Sequence, residues 1–127
     1  MPDRKTVGAW GEAVAVKRLE LNGFAIRARN WRPRAVSGTS HGELDIVAER
    51  AGVIHFVEVR TRRSQRYGAP GETLGARKRA KLLITAQAYL AEHHLEDCNW
   101  CIDAILIEMD QRNQIQHYDH IERAIEA

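Results

Sequence analysis

Residues 41–62 read HGELDIVAERAGVIHFVEVRTR, and this stretch decides the fold. It contains two runs typical of buried strands, ELDIVAE and VIHFVEV, with Ala51-Gly52 between them. The short connection predicts an antiparallel hairpin with strands over residues 43–49 and 53–61. Each run carries a carboxylate among apolar residues, Asp45 in the first and Glu58 in the second. Burying a carboxylate is costly unless it is paired or binds a metal, so these two acids need an explanation.

The hairpin geometry brings the two acids close together. If the strands pair around the turn, positions whose numbers sum to 103 or 104 are opposite, so Asp45 faces Glu58 or Val59. Arg60 shares the face of Glu58, because residues two apart in a strand point the same way. Neighbouring carboxylates repel, and a divalent cation with oxygen ligands, Mg²⁺ or Mn²⁺, would remove the conflict. Structural salt bridges with Arg60 and another arginine are the alternative, and spacing alone does not decide between them.

The rest of the chain predicts a mixed sheet with helices on both faces, in one domain spanning residues 1–127. A helix over residues 7–22 stops at Gly23, and on a helical wheel Glu12 lies beside Val16 and Leu19, which turns this carboxylate inward. The further predictions are a strand over residues 24–28, a helix over 76–93, strands over 100–109 and 115–118, and a short terminal helix over 121–127. Residues 30–42 and 62–75 read as loops. The predicted order is α-β-β-β-α-β-β-α.

Charge is distributed unevenly along the chain. The net charge is only +2 over 127 residues, but residues 60–81 hold eight Lys or Arg and one acid, whereas residues 92–127 hold nine acids and two arginines. Such a basic segment predicts a face for a polyanion such as nucleic acid, with a solvated surface as the alternative. No apolar run approaches the length of a membrane span, and the N-terminus has no secretory pattern, so we expect a cytoplasmic protein without a membrane partner.

Two histidines and two cysteines raise the question of a zinc site. Cys98 and Cys101 are spaced C-x-x-C just after His93-His94, and together they have the composition of a Cys₂His₂ site. However, adjacent histidines on a helix diverge by about 100° and the spacing is not a zinc-finger frame, so a structural role is favoured. The sequence shows no partner pattern for four further histidines, His41, His55, His117 and His120. Asp103, inside an apolar strand, is interpreted as a buried hydrogen-bonding group.

HGELDIVA followed by HFVEVRTR resembles the GEIDLIA…FVEVKTR signature of the YraN family, small bacterial proteins with a restriction-endonuclease-like fold. GAWGEAVAVKRL near the start, RNW at residues 29–31, ARKRAKLLITAQAYL at 76–90 and the closing HIERAIEA are also similar to the family. The resemblance therefore covers nearly the whole chain.

The resemblance implies the PD-(D/E)XK nuclease arrangement, that is, a restriction-endonuclease-like α/β domain that binds Mg²⁺ or Mn²⁺. Asp45 and Glu58 would be metal ligands, the backbone carbonyl of Val59 a third, and Glu12 a ligand through water. Arg60 occupies the position of the motif's lysine. The implied activity is that of a metal-dependent endonuclease on nucleic acid, DNA rather than RNA, and a homodimer is compatible because cutting two strands needs two sites.

Arg60 limits what the implied site can do. Arginine essentially never loses its proton in proteins, so Arg60 cannot be a general base, although it can hold a phosphate and stabilise transition-state charge. Two hypotheses follow: a nuclease that needs no lysine at this position, and a protein of the same fold that binds nucleic acid without cutting it. In either case the expected phosphate contacts are Arg62, Arg63, Arg66, Lys78 and Arg79.

Overall fold

The computed structural model describes residues 4–34, 42–63 and 75–125. Within these ranges two helices accompany a five-stranded sheet of order β1-β2-β3-β4-β5. All neighbouring strands are antiparallel except β3 and β4, which are parallel and are connected through the second helix. The elements are α1 (Arg4–Leu21), β1 (Ala25–Trp31), β2 (Leu44–Arg50), β3 (Val53–Arg63), α2 (Ala76–Glu92), β4 (Asn99–Met109) and β5 (Ile115–Ile125).

The β2-β3 hairpin confirms the register expected from the turn. Ala51 and Gly52 both have positive φ, 52° and 77°, as in a type I′ turn, whose twist suits an antiparallel hairpin. Ile46 pairs with Val57, and every pair of the ladder sums to 103. Extending this register by one step puts Asp45 opposite Glu58, so the two carboxylates leave the sheet on the same face.

Helices cover both faces of the sheet, as predicted. One face packs on α1, and its buried core includes Ala15, Leu19, Ile46, Val57 and Ile105. The other face packs on α2, and its buried core includes Val47, Phe56, Leu82, Tyr89 and Ile102. Gly23, with φ of 88°, ends α1 as expected. Asp45 and Glu58 have the same alternation as Val47 and Phe56, so they lie on the α2 face of the sheet.

Strand β1 departs from the simple alternation that the sequence suggests. Its register against β2 shifts between Ile26 and Ala28, a β-bulge at Arg27. Ile26 therefore packs on the α1 side while Ala28 packs on the α2 side. The strand also continues through Asn30 and Trp31, two residues that the sequence places in a loop.

The predicted terminal helix is wrong over the described residues. Residues 115–125 form one long strand, β5, which pairs with β4 from Ile115 to Ile125. Hydrogen bonding to β4 and burial of Ile125 against the α2-side core outweigh the weak helical pattern of the segment. Residues 126–127 lie outside the described residues, as do residues 35–41 and 64–74, which belong to the loops predicted over 30–42 and 62–75. Arg62 and Arg63, predicted as loop, extend β3.

None of the described helices is both long enough and apolar enough to cross a lipid bilayer.

Candidate metal and nucleic-acid cleft

Asp45 and Glu58 lie against each other beneath α2. Asp45 Oδ2 accepts a hydrogen bond of 2.8 Å from the backbone N–H of Val59, and its carboxyl group is also in hydrogen-bonding contact with that of Glu58. Glu58 is 6% exposed. Burial first, and then the negative charge of Glu58, raise the pKa of Asp45 to about 8. In the metal-free protein Asp45 therefore keeps its proton to a higher pH than an ordinary aspartate does.

The two carboxylates line a cleft with a volume of about 320 Å³. Its floor comes from the sheet and its wall from the first turns of α2. Gly42 sits at the rim, where a Cβ atom would lie 2.6 Å from Thr85 Oγ1, so a larger residue would narrow the cleft. The lining residues are Gly42, Glu43, Asp45, Glu58, Lys78, Lys81, Leu82 and Thr85.

Glu12 faces this acidic group from α1. With its nitrogen turned to the acids, the Asn30 amide donates to Glu12 Oε1 at 2.9 Å and to Glu43 Oε1 at 3.0 Å. Burial raises the pKa of Glu12; the Asn30 hydrogen bond opposes this shift, and the charges of Glu43 and Glu58 add to it. The inward orientation expected from the helical wheel is therefore confirmed, and four carboxylates influence one another at this edge of the sheet.

Lys78, on the first turn of α2, reaches into the cleft and pairs with Glu58. Its Nζ lies 2.8 Å from Glu58 Oε1, and its side chain is 56% exposed. The sequence predicts a phosphate contact for Lys78, with a solvated helix end as the alternative. The structure places its ammonium on a carboxylate expected to bind metal, where it neutralises part of the buried charge.

Arg60 lies one alternation beyond Glu58 on the same strand, and its side chain is exposed. It lies on the same face of the sheet as Asp45 and Glu58, nearer the C-terminal end of β3. Val59 contributes its N–H to Asp45, and it stands in register with Ile105 of β4. The use of the Val59 carbonyl as a metal ligand stays a prediction.

The predicted phosphate contacts divide into two groups. Arg62 lies 3.8 Å from Glu108, and Arg63 donates to the backbone carbonyl of Asp110 at 3.2 Å, so both have partners on β4 or just beyond it. Lys78 and Arg79 are exposed at the start of α2, with Arg77 and Lys81 beside them. Arg66 lies outside the described residues. The described basic surface is therefore the first turns of α2.

The donor set of the cleft fits a hard divalent cation. Asp45 and Glu58 supply two buried or half-buried carboxylates in contact, with no thiol or imidazole among the lining residues. Oxygen ligands of this kind suit Mg²⁺ and Mn²⁺. The raised pKa of Asp45 also matches a site in which a positive charge is needed to keep both groups ionised.

Residues 11–107 match the model of the uncharacterised protein family UPF0102. The chain belongs to this family. A UPF0102 protein of Roseiflexus castenholzii is 41% identical over 99% of this chain and 98% of its own length. UPF0102 proteins of Symbiobacterium thermophilum and Syntrophotalea carbinolica are 40% and 38% identical, over 82% and 91% of this chain and 83% and 89% of their own lengths.

The UPF0102 match contains every described residue of the cleft. Glu12, Asp45, Glu58 and Lys78 all fall within residues 11–107, as do β2 to β4 up to Ile107. The match ends before β5. The cleft is therefore built from the part of the chain that defines the family.

Sequence reasoning missed two members of the cleft. Glu43 lines it, and Asn30 ties Glu43 to Glu12. Glu43 was visible as an acid two positions before Asp45 on the same strand face. Asn30 was visible only as part of the RNW similarity at residues 29–31, with no indication that its amide contacts two acids.

The four residues of the C-x-x-C and His-His segments do not converge. Cys98 packs on the α2-side core, whereas Cys101 contacts His55 on the other side of β4. His93 Nδ1 is 2.9 Å from the Tyr89 carbonyl, and its ring stacks on that of Tyr89. The side chains of this segment therefore point in different directions, as the sequence predicts.

Proposed function

We propose that the protein is a Mg²⁺- or Mn²⁺-dependent endonuclease with a restriction-endonuclease-like fold, acting on nucleic acid and in particular on DNA. The observation that carries the proposal is the contact between the Asp45 and Glu58 carboxyl groups in an open cleft below the basic start of α2. A divalent ion held by these two carboxylates would supply Lewis-acid charge and an activated water for hydrolysis of a phosphodiester bond.

The residues around the pair have roles that follow from their positions. The Val59 N–H fixes the Asp45 carboxylate, and Asn30 fixes Glu12 at the edge of the cleft. Glu12 is suited to hold a water molecule at this edge. Arg60, exposed and permanently charged, is suited to bind the phosphate and stabilise the charge that develops on it.

Lys78 supplies a side chain that can lose a proton, which Arg60 does not. An ammonium group can lose a proton to a neighbour, and a guanidinium essentially cannot. Lys78 Nζ already contacts Glu58 at 2.8 Å, so the amine stands beside the expected metal ligand although it comes from α2 and not from β3. We infer that Lys78 takes the place of the motif's lysine, orienting the attacking water or the scissile phosphate.

The same contact favours a second candidate function, a nucleic-acid-binding protein that does not cut. Lys78 can satisfy Glu58 without any metal, and a proton can satisfy Asp45. In that case the cleft would be a structural ion pair, and the exposed basic residues of α2 would bind phosphates by charge alone.

A cleavage assay with Mn²⁺ or Mg²⁺ on duplex, single-stranded and branched DNA distinguishes the two functions. We expect metal-dependent cleavage by the wild type and a loss of at least about 100-fold in Asp45→Asn and Glu58→Gln, because each removes a charged ligand worth several kcal/mol in the transition state. Glu96→Gln is the matched control, since Glu96 is an exposed carboxylate outside the cleft.

Binding measured in parallel completes the test. DNA binding without cleavage under any metal condition would support the second function and overturn the first. Cleavage that persists undiminished in Asp45→Asn and Glu58→Gln would show that the cleft is not the site.

A further inference from the structure

A second cluster of polar side chains lies on the opposite face of the sheet from the cleft. His55 on β3 stands in register with Cys101 on β4, and both side chains turn toward the α1 side, where the ring of Phe24 packs edge-on against His55 at 5.0 Å. Asp103 lies two residues after Cys101 on the same face. His55 and Cys101 are each 5% exposed and Asp103 is fully buried. The proposed nuclease chemistry uses none of these groups.

The three side chains meet within a few ångströms. His55 Nδ1 lies 2.7 Å from Asp103 Oδ2 and 3.2 Å from Cys101 Sγ, and Cys101 Sγ lies 3.3 Å from Asp103 Oδ1. One potential ligand atom from each residue lies within 4.8 Å of the other two. A nitrogen, a sulfur and an oxygen thus surround one point in the protein interior.

His120 on β5 adds a fourth donor to this cluster. Its Nε2 lies 2.8 Å from Asp103 Oδ2, and its side chain is only 16% exposed. The Phe24 ring also lies against His120, at 5.7 Å between centroids. Glu122 Oε1 approaches His55 Nδ1 at 4.0 Å from the solvent side. His120 therefore contacts the cluster through the carboxylate of Asp103.

The backbone of β5 is distorted around this cluster. The register between β4 and β5 shifts between Ile102 and Ala104, and Arg123 has a φ of 55° that a non-glycine residue rarely adopts. In this conformation the Arg123 N–H donates to Asp103 Oδ1 at 3.0 Å. One carboxylate oxygen is thus held by the backbone, and the other faces both histidines. Metal-binding carboxylates are commonly oriented by such a hydrogen bond.

We propose that His55, Cys101 and Asp103 form a second metal site, specific for Zn²⁺ or a similar thiophilic divalent ion, with His120 orienting the Asp103 carboxylate. Zinc takes ligands drawn from thiolate, imidazole and carboxylate, and three protein ligands leave one position for a water molecule. The cleft offers oxygen ligands only, so it suits hard ions such as Mg²⁺ and Mn²⁺ instead. The zinc site would tie β3, β4 and β5 together.

The geometry needs only a small adjustment to accept the ion. Ligand atoms at zinc bond lengths of about 2.0–2.3 Å in a tetrahedron stand about 3.3–3.6 Å apart. The contacts of Cys101 Sγ with His55 and Asp103, at 3.2 and 3.3 Å, are close to the lower end of this spacing. The contact of Asp103 Oδ2 with His55 Nδ1, at 2.7 Å, would have to widen by about half an ångström when the ion enters.

A closed hydrogen-bond network is the alternative occupant of this space. The two imidazoles, the Cys101 thiol and the Arg123 N–H can all donate to Asp103. Burial by itself would raise the pKa of Asp103, but the hydrogen bonds from His120, His55 and Arg123 together hold it well below its ordinary value. Such a network would be stable without any ion and would show no thiolate ligation.

Cobalt substitution distinguishes a bound metal ion from a closed hydrogen-bond network. After treatment with a chelator, the full-length protein is titrated with Zn²⁺ and with Co²⁺, and metal content, thiolate-to-cobalt charge-transfer absorption and thermal unfolding are measured. We expect one tightly bound ion per chain, a charge-transfer band and a higher unfolding temperature. Cys101→Ser should abolish the band and weaken Zn²⁺ binding at least about tenfold.

Cys98→Ser is the matched control, because Cys98 lies three residues away and packs on the other side of the sheet. It should leave the band intact, and so should Asp45→Asn combined with Glu58→Gln, which isolates this site from the cleft. If Cys101→Ser does not fold, His120→Gln, at a partly exposed position, serves instead and should weaken binding by a similar factor. Absence of the band in the wild type, or its persistence in Cys101→Ser, would overturn the proposal.

Discussion

Lys78 brings an amine into the cleft from α2. Its ammonium lies against Glu58 on β3. The residue that β3 itself carries two positions after Glu58 is an arginine, Arg60. Lys81 lines the same cleft from the next turn of α2. The two lysines thus share one cleft and one helix, but only Lys78 makes a described ion pair with a site carboxylate.

Lys78→Met should reduce metal-dependent cleavage by about 100-fold or more, because it removes a group positioned beside the reacting phosphate. Mn²⁺ affinity, measured by calorimetry, should stay the same or increase, since a competing cation leaves Glu58. Lys81→Met is the control and should mainly weaken DNA binding. Equal losses of cleavage in both variants would contradict a special role for Lys78.

Asp45 makes the stability of the metal-free protein depend on pH. Its pKa is about 8 in the folded protein against 3.8 ordinarily, so the folded state holds a proton that the unfolded chain has released. The contribution of this group to stability is complete below pH 3.8 and is lost as the pH rises through about 8. Asp45→Asn removes the ionisable group while keeping an oxygen for the Val59 N–H.

In the presence of a chelator, Asp45→Asn should therefore be more stable than the wild type at pH 8, by about 2 kcal/mol, less than the whole pKa difference implies because the carboxyl is partly solvated. The advantage should shrink toward pH 4. Denaturant unfolding across this pH range measures it, with the exposed Asp97→Asn as reference. A difference independent of pH would show that Asp45 is ionised in the folded protein.

Helix α1 carries Glu12 to the cleft through a close approach to β3. A Cβ on Gly11 would collide with the side chain of Thr61, whereas a Cβ on Gly8, one turn earlier, would meet nothing within 4 Å. Thr61 Oγ1 is buried without a hydrogen-bond partner among the described residues. The contact between Gly11 and Thr61 thus sets the distance between the helix and the strand.

Gly8→Ala and Gly11→Ala should have opposite effects on stability. Gly8→Ala should stabilise the protein by about 0.5–1 kcal/mol, the ordinary gain in helix propensity. Gly11→Ala should destabilise it by about 1–3 kcal/mol through overpacking and should displace Glu12. Chemical denaturation of the two variants is the measurement, and a gain in stability for Gly11→Ala would refute the close approach.

The elements differ in how far the sequence predicts them. The hairpin and its register follow from local signals, because two strands joined by Ala51-Gly52 can pair in few ways. The cluster of His55, Cys101, Asp103 and His120 does not follow from local signals. Its members come together only through the parallel pairing of β3 with β4 and the bulge of β5, and neither feature has a local sequence pattern. The sequence predicts the start of β5 as a strand over residues 115–118 but not its continuation: the IERAI segment at 121–125 fits a helix by composition, and its pairing with β4 decides otherwise.

Charge is separated across the whole molecule. The basic start of α2 stands over the cleft, while the acidic residues Asp119 and Glu122 lie on β5, which β4 separates from β3. Among the described residues, positive charge is therefore denser at the start of α2 than along β5, and a polyanion would be attracted to the helix side. This separation makes the proposed binding of nucleic acid compatible with a net charge of only +2.

DNA affinity should fall linearly with the logarithm of salt concentration, with a slope set by the phosphates contacted. Arg79→Gln should weaken binding and reduce the slope by about 0.9 for duplex DNA if it removes one phosphate contact. Arg112→Gln, an exposed arginine in the β4-β5 turn, is the control and should change neither. Fluorescence anisotropy at several salt concentrations measures both quantities, and an affinity insensitive to salt would exclude this mode of binding.

We propose that Asp45 and Glu58 together bind a divalent cation, and a crystal soaked in Mn²⁺ is the sharpest test of this claim. We predict an anomalous peak between the two carboxylates, within bonding distance of both, with Lys78 moved away from Glu58 or turned toward the ion's water. A crystal with Mn²⁺ at other sites, an intact Lys78–Glu58 pair and no peak between these carboxylates would contradict the claim.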